Sequence, residues 1–389
     1  MSKVTQAVSY GSCTGKLWRL EEFAAFVGVD LHKCTVTLVA VDPRQEVIGH
    51  LTISTKCVDQ IETFLRSLPR PVWMAVEADG FVEWFIDRYG PVVDLVSIAD
   101  ATELANRRGK RRKNDYNDAK DAGERLARGE CPLGWIADPE TARLRKLGRH
   151  WHQLSRTLSR AKHCMRSILN AANLRGPSTL DGALTQRWLL GFGHLLKEES
   201  RKAFENFLDV ILLLERQRER LRLQITFANR TAPFQALTTL LKTVPGIDEI
   251  WACVIAAEIG DFDRFPNAET LEFWAGLTPD NELSAGKSRE GKITKAGSRT
   301  LRWALGKAAM VLCRSDRAQE KIRRRLIRQV GRKAKANVAM ARRLLHILFA
   351  MHRDQKPYAV GEPTNHPAEA NRARAKKQRR DAARTDQAA

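Results

Sequence analysis

Apolar residues come in short, strand-like runs over the first hundred positions and recur in threes and fours after about position 141. The run Phe26-Val27-Gly28-Val29-Asp30 begins a strand. Thr35 to Val41 is rich in β-branched residues, and Val47 to Ile53 reads as a third strand. Asp42-Pro43-Arg44-Gln45 supplies the turn between the second and third, which predicts an antiparallel meander. Val58 to Leu68 has helical spacing and stops before Pro69. Val72 to Glu77 reads as a central strand, Phe81 to Tyr89 as a helix and Pro91 to Ile98 as a further strand. Two of these apolar strands end in a single carboxylate, Asp30 and Glu77. A turn aspartate is the plainer reading of Asp30, because a charge closing an apolar run is costly only when it is buried without a partner.

The second pattern is helical. Leu144, Leu147, Trp151, Leu154, Leu158, Cys164, Ile168 and Leu169 repeat at helical spacing. After a loop around Gly176-Pro177 the pattern returns from about Ala203 to Phe227, which predicts a long helical hairpin or coiled coil. Val244-Pro245-Gly246-Ile247 leads into a helix over Ile250 to Ile259. The small, polar, basic stretch Ser284 to Gly297 reads as a loop able to approach a phosphate closely. Leu301 to Cys313, Lys321 to Arg328 and Ala339 to Met351 read as helices. Beyond Pro357 the composition lacks the large apolar residues a core needs, which predicts a disordered basic tail.

Charge narrows the function. The 389 residues carry 66 Lys and Arg against 45 Asp and Glu, a formal net charge of +21. Such a balance points to a polyanion, most often nucleic acid. No stretch is long and apolar enough to span a membrane, and no basic-then-apolar secretory leader is visible. The seven cysteines are scattered with no Cys-x-x-Cys, which fits a reducing cytoplasm and argues against a disulfide framework or zinc ribbon.

The densest chemistry lies at Asn114-Asp115-Tyr116-Asn117-Asp118-Ala119. Asp115 and Asp118 are three apart at the start of a helix, so they share a face. Directly upstream stand Arg107, Arg108, Lys110, Arg111, Arg112 and Lys113, a basic block suited to phosphate. Acids at this spacing are common on solvated helices. Together with Asp30 and Glu77 they form a set of four carboxylates suited to a hard divalent cation.

Taken in order, these motifs resemble the DEDD transposases of the insertion sequence 110 and 1111 groups, together with the Piv DNA invertases. The resemblance runs from about Val27 to Met351. It rests on Gly28-Val29-Asp30, the strand ending in Glu77, and Asn114-Asp115 with Asp118-Ala119. It continues through Val244 to Ile247, Gly276-Leu277-Thr278-Pro279, Ser284 and the stretch Gly291 to Gly297. One departure is visible: Ala285 follows Ser284 where the family usually has glycine.

The resemblance implies an α/β N-terminal RNase H-like (RuvC-like) domain, a helical or coiled-coil middle and a mainly α C-terminal domain. The boundaries expected are a flexible leader at 1–22, the acid-bearing domain at 23–140, helices at 141–230, the serine domain at 231–353 and the tail at 354–389. It implies that Asp30, Glu77, Asp115 and Asp118 hold one or two Mg2+ ions and that Ser284 is the nucleophile. Lys287, Lys292 and Lys295 beside it would steady phosphate. The implied partners are DNA, a structured guide RNA in some members, and further copies of the chain in a homodimer or higher homo-oligomer, with an active site composed from separate domains. Two other readings predict different products. A RuvC-like nuclease using water gives cut DNA without joining. A non-enzymatic nucleic-acid-binding protein gives binding that survives loss of all four acids.

Overall fold

The computed structural model describes residues 18–77, 80–100, 104, 114–231, 234–284, 287–295 and 297–360; for 231, 280–284 and 287–292 the backbone alone is described. The chain forms two compact units that divide between Asp138 and Pro139.

The first unit is built on a six-stranded mixed sheet. Strands β1 (Ala25–Leu31), β2 (Thr35–Val41) and β3 (Val47–Ser54) form the antiparallel meander the sequence predicts. At its second turn the Asp42 side chain accepts hydrogen bonds from the backbone N–H groups of Arg44 and Glu46. β4 (Val72–Glu77) and β5 (Leu95–Ala99) run parallel to β1, and the two-residue β6 (Leu133–Gly134) closes the edge antiparallel to β5. The strand order is β3-β2-β1-β4-β5-β6, so β1 sits inside the sheet with every residue buried. That explains why its sequence is an apolar run rather than an alternation.

Alternation still governs the two faces. Val27, Val29 and Leu31 join Met74 and Val76 on one face, under α1 (Val58–Ser67) and α2 (Val82–Tyr89), with Ile61, Leu65, Phe85 and Tyr89 at its centre. Phe26 shares the other face with Trp73, Ala75 and Leu95, under α3 (Asp115–Ala127). Two expectations need correction. The strand expected from Pro91 begins at Leu95, because Gly90–Val92 instead winds as a 3-10 turn, and Pro91 has no N–H for a ladder. Trp18 and Leu20, expected in a loose leader, pack against the α3-side core, with the Trp18 ring 5.1 Å from Phe23.

The second unit is largely helical. Helices α4 (Pro139–Ala171) and α6 (Glu198–Thr231) pair along their length. Leu158, Met165 and Leu169 meet Phe204, Leu208 and Ile211 at one end. Leu144 and Trp151 meet Leu221 and Ile225 at the other, so the pair is antiparallel. Between them α5 (Gly182–Phe192), which the sequence reading passed over, is capped by Asp181 accepting from the Leu184 N–H. There follow α7 (Gln235–Leu241), α8 (Glu249–Ile259), α9 (Ala268–Trp274), α10 (Arg299–Ser315), α11 (Arg317–Val330) and α12 (Lys333–Asp354). α8 is mostly apolar and is buried from Ala252 to Ile259, Glu258 being its one buried acid, the signature of a central helix. Its core takes Leu144, Trp151, Leu221 and Ile225 from the long pair together with α10 and α12, so it runs across position 231. The stretch expected to be a loop is mostly a hairpin of β7 (Pro279–Ser284) and β8 (Lys287–Ile293), with Ser284 paired to Lys287. Residues 361–389, expected to be disordered, lie outside the described residues.

Candidate active site

Two glycines bring the helical acids to the strand. A Cβ on Gly28 would stand 1.9 Å from the Ala119 carbonyl oxygen and 2.6 Å from the Gly123 nitrogen; one on Gly123 would stand 3.2 Å from the Gly28 nitrogen. α3 therefore lies on β1 backbone against backbone, which a side chain at either crossing would prevent. Asp30 is two residues beyond Gly28, on the same face. The first turn of α3 begins there, where Asn114 caps the helix by accepting from the Tyr116 N–H at 3.1 Å. Asp115 and Asp118 sit in that first turn, where the positive end of the helix dipole favours carboxylates. Glu77 arrives by register. Val29 lies opposite Val76 in the parallel ladder, so Asp30 and Glu77 are the next positions along adjacent strands and face the same way.

Among the described residues Asp30, His32 and Asp115 offer ligand atoms within 4.8 Å of one another. His32 Nε2 is 3.6 Å from Asp30 Oδ2 and 3.6 Å from Asp115 Oδ1. Asp30 is only 7% exposed, and its Oδ2 is buried without a hydrogen-bond partner among the described residues. Burial pushes its carboxyl up to about 6; His32 opposes the rise, and Asp115, Glu77 and Asp118 add to it in that order. Those three acids are therefore within electrostatic reach of Asp30. Asp118 is buried and Glu77 half-buried. Asp121, one turn on, is held by Arg125 at 2.7 Å. A buried carboxylate oxygen with no donor, among like charges, is costly unless a cation or proton joins it. The residues present thus fit a divalent ion, and the oxygen-rich set suits a hard one.

The sequence reading missed His32. Its signal was present in Asp30-Leu31-His32, since residues two apart at a strand end share a face. The remaining expected site residues belong to the second unit or fall outside the described residues. Ser284 ends β7, and Lys287 and Lys292 lie in β8, with backbone alone described. Lys295 is exposed just beyond β8 and takes a left-handed backbone, with φ 58°. Arg107, Arg108, Lys110, Arg111, Arg112 and Lys113 lie outside the described residues.

Residues 238–324 match the transposase IS116/IS110/IS902 family. That stretch runs from α7 through the β7–β8 hairpin into α11. The chain is 30% identical over 148 residues to an uncharacterized 43.6 kDa protein of insertion element IS110 from Streptomyces coelicolor, a match covering 38% of this chain and 36% of that one. It is 29% identical over 132 residues to the pilin gene-inverting protein of Moraxella bovis, covering 33% and 41%. A putative transposase of Sinorhizobium fredii is 26% identical over 204 residues, covering 52% and 48%. The matches thus span less than half the length of each of these relatives. The likeness to insertion-sequence transposases and to the pilin-gene invertase, read from the motifs, stands on these comparisons. Among the described residues no helix is long and apolar enough to cross a membrane.

Proposed function

We propose that this protein is a DNA recombinase of the transposase and invertase type, cutting and rejoining strands with carboxylate-held metal and a serine. The observation that carries the reading is the convergence of Asp30 and Asp115, from a strand and a distant helix, around a buried Asp30 oxygen that accepts no hydrogen bond from any described residue. The strand order, with a three-stranded meander beside parallel β4 and β5, supports an RNase H-like assignment for the first unit. The match at 238–324 and the net charge of +21 support DNA as the substrate.

Asp30 and Asp115, with Glu77 and Asp118 beside them, would hold one or two Mg2+ ions. When bound, Mg2+ supplies stabilisation of charge on the non-bridging and leaving oxygens of a phosphodiester. The chain's own residues do the rest. α3, fixed on Gly28, holds Asp115 and Asp118 in place. His32 is positioned to carry a proton beside Asp30 and Asp115. Ser284 attacks phosphorus, one phosphodiester bond breaks, and a phosphoserine link keeps the bond energy for rejoining. Lys287, Lys292 and Lys295 steady the phosphate. A guide RNA and a homo-oligomer belong to the same proposal. Exposed Leu213, Leu223 and Phe227 on α6 support self-association.

The test is one incubation of the protein with Mg2+, DNA carrying the element's ends and transcripts from those ends, followed by mass spectrometry of any protein–DNA adduct. A DNA remnant on Ser284, absent from Ser284→Ala, is the expected result. Cut DNA with no adduct would mean a nuclease that uses water. An adduct on another residue would remove Ser284 from the mechanism.

A further inference from the structure

The second unit carries a groove lined by cations that pair with no acid among the described residues. Two adjoining hollows, of about 590 and 450 Å³, share Trp303 on α10. One is walled by Arg156, Arg160 and His163 of α4 and by Lys307 of α10. The other is walled by Lys295, Arg299 and Arg302. Among the described residues no Asp or Glu lines either hollow.

The arrangement follows from helical spacing. Arg156 and Arg160 are one turn apart on α4, and Arg299, Trp303 and Lys307 make one face of α10. Cations therefore repeat at about 6 Å steps along each wall, at 1.5 Å rise per residue. Trp303 is fixed between them. His152 stacks on it at 4.0 Å, and His152 Nδ1 lies 2.9 Å from the Thr300 hydroxyl. Trp251 closes against it at 4.6 Å.

Several cations elsewhere in this unit are matched by acids. On α6, Arg201 pairs with Glu205 at 2.9 Å, Lys202 with Glu198 at 2.6 Å and Arg222 with Glu219 at 2.6 Å. On α11, Arg324 pairs with Glu320 at 2.8 Å. Glu258, a buried acid under α4, is taken by Arg149 at 2.8 Å. Arg302 spends its guanidinium on the Ala275 and Gly297 carbonyls. Arg156, Arg160, Lys295, Arg299 and Lys307 are exposed and make no ion pair with any described residue.

We propose that this α4–α10 groove binds the sugar–phosphate backbone of DNA, with Arg156, Arg160, Arg299 and Lys307 as its phosphate contacts and Trp303 as its floor. Exposed cations two abreast, with no acid among the described residues that line the hollows, are what a polyanion neutralises at least desolvation cost. Each phosphate contact so made releases counterions and steepens the salt dependence of binding. The proposal rests on the DNA-acting reading for its ligand, and it concerns binding alone.

The test measures affinity against salt for a labelled duplex DNA and for one of its single strands. It is done in the full chain carrying Asp115→Asn, so that no strand chemistry intervenes. The groove variant combines Arg156→Gln, Arg160→Gln, Arg299→Gln and Lys307→Gln. A control variant removes the same amount of charge from paired positions with Arg201→Gln, Lys202→Gln, Arg222→Gln and Arg324→Gln. Unchanged thermal melting establishes that both fold. The groove variant is expected to flatten the slope of log affinity against log salt by about three to four units on at least one probe. The control should change it by about one unit or less. The probe showing the larger change identifies the strand form bound. A groove slope equal to the parent's on both probes, or no flatter than the control's, overturns the proposal. Failure of the strand chemistry alone leaves this result standing, because binding is read without it.

Discussion

The acid site of the first unit and the basic groove of the second present one electrostatic problem in opposite signs. Each gathers several groups of like charge within a short distance, whereas Asp121 with Arg125 and Arg222 with Glu219 form opposite-charge pairs. They differ in burial. Asp30 is sunk at the end of a central strand, with its position fixed by a backbone contact of α3 on Gly28. Arg156, Arg160, Arg299 and Lys307 stand in solvent on long flexible stems. Buried charge is expensive alone and exposed charge is cheap. The first region should therefore act through a few residues whose single loss is severe. The second should act as a sum of small, salt-sensitive terms. The predictions below separate these behaviours, in order of expected size.

The largest effect belongs to the acids. Asp30→Asn and Asp115→Asn should each lower DNA cleavage by on the order of 10³-fold, the scale of losing a group that stabilises transition-state charge. DNA affinity should stay within about twofold, since phosphate contacts come from Lys and Arg. Cleavage and gel-shift assays on the same preparations check this. An equal loss of both would mean that the acids support structure and not chemistry.

Next comes the helix–strand contact. Gly28→Ala should cost about 3 kcal/mol or more in stability, because the added carbon would meet the backbone of α3, which cannot step aside. Urea unfolding reads the cost. A variant as stable as the parent would mean that the close crossing does not set the position of Asp115 and Asp118.

A pH prediction follows from Asp30. Its folded pKa, about 6, lies above its unfolded value of 3.8. Between those values the folded state holds more protons, so metal-free stability falls as pH rises from about 4 to above 6. Asp30→Asn cannot ionise and escapes the fall. It should be more stable than the parent by about 1–3 kcal/mol at pH 8 and by little near pH 4. Thermal melts in chelator across that range test the sign. A variant less stable than the parent at pH 8 contradicts it.

The smallest effect is expected from single groove cations. Arg160→Gln alone should flatten the salt slope of DNA binding by about 0.9 unit, read from affinity against salt. A severe loss from one such change would erase the contrast between the two regions.

How much of this was legible in the sequence depended on whether the signal was local. β2 matched Thr35 to Val41 residue for residue, because β-branched runs bounded by turn residues encode strands without help from distant contacts. The faces of β1 and α3 that carry Asp30, Asp115 and Asp118 were legible from the same local periodicities. The start of β5 was misplaced because a proline-containing 3-10 turn carries apolar residues as readily as a strand. Ser284 to Gly297 was read as a loop because the strands there are short, polar and charged, PDNELS and KSREGKI, without the apolar alternation that marks a strand. His32 was missed because nothing along the chain ties it to Asp115; only the approach of α3 to Gly28 does. The groove was missed for a related reason. Arg156 and Lys307 look like ordinary surface cations until the fold puts their helices side by side and leaves out the acids.

The most direct test of the account is a calorimetric titration of the metal-free protein with Mn2+ as a spectroscopically useful stand-in for Mg2+, repeated with Asp30→Asn, Asp115→Asn and the four-residue groove variant. The account predicts binding of one or two ions to the parent and to the groove variant, and loss of at least one ion from each acid variant. Equal binding by the parent and Asp30→Asn would contradict it, since the buried oxygen of Asp30 would then not be waiting for a cation.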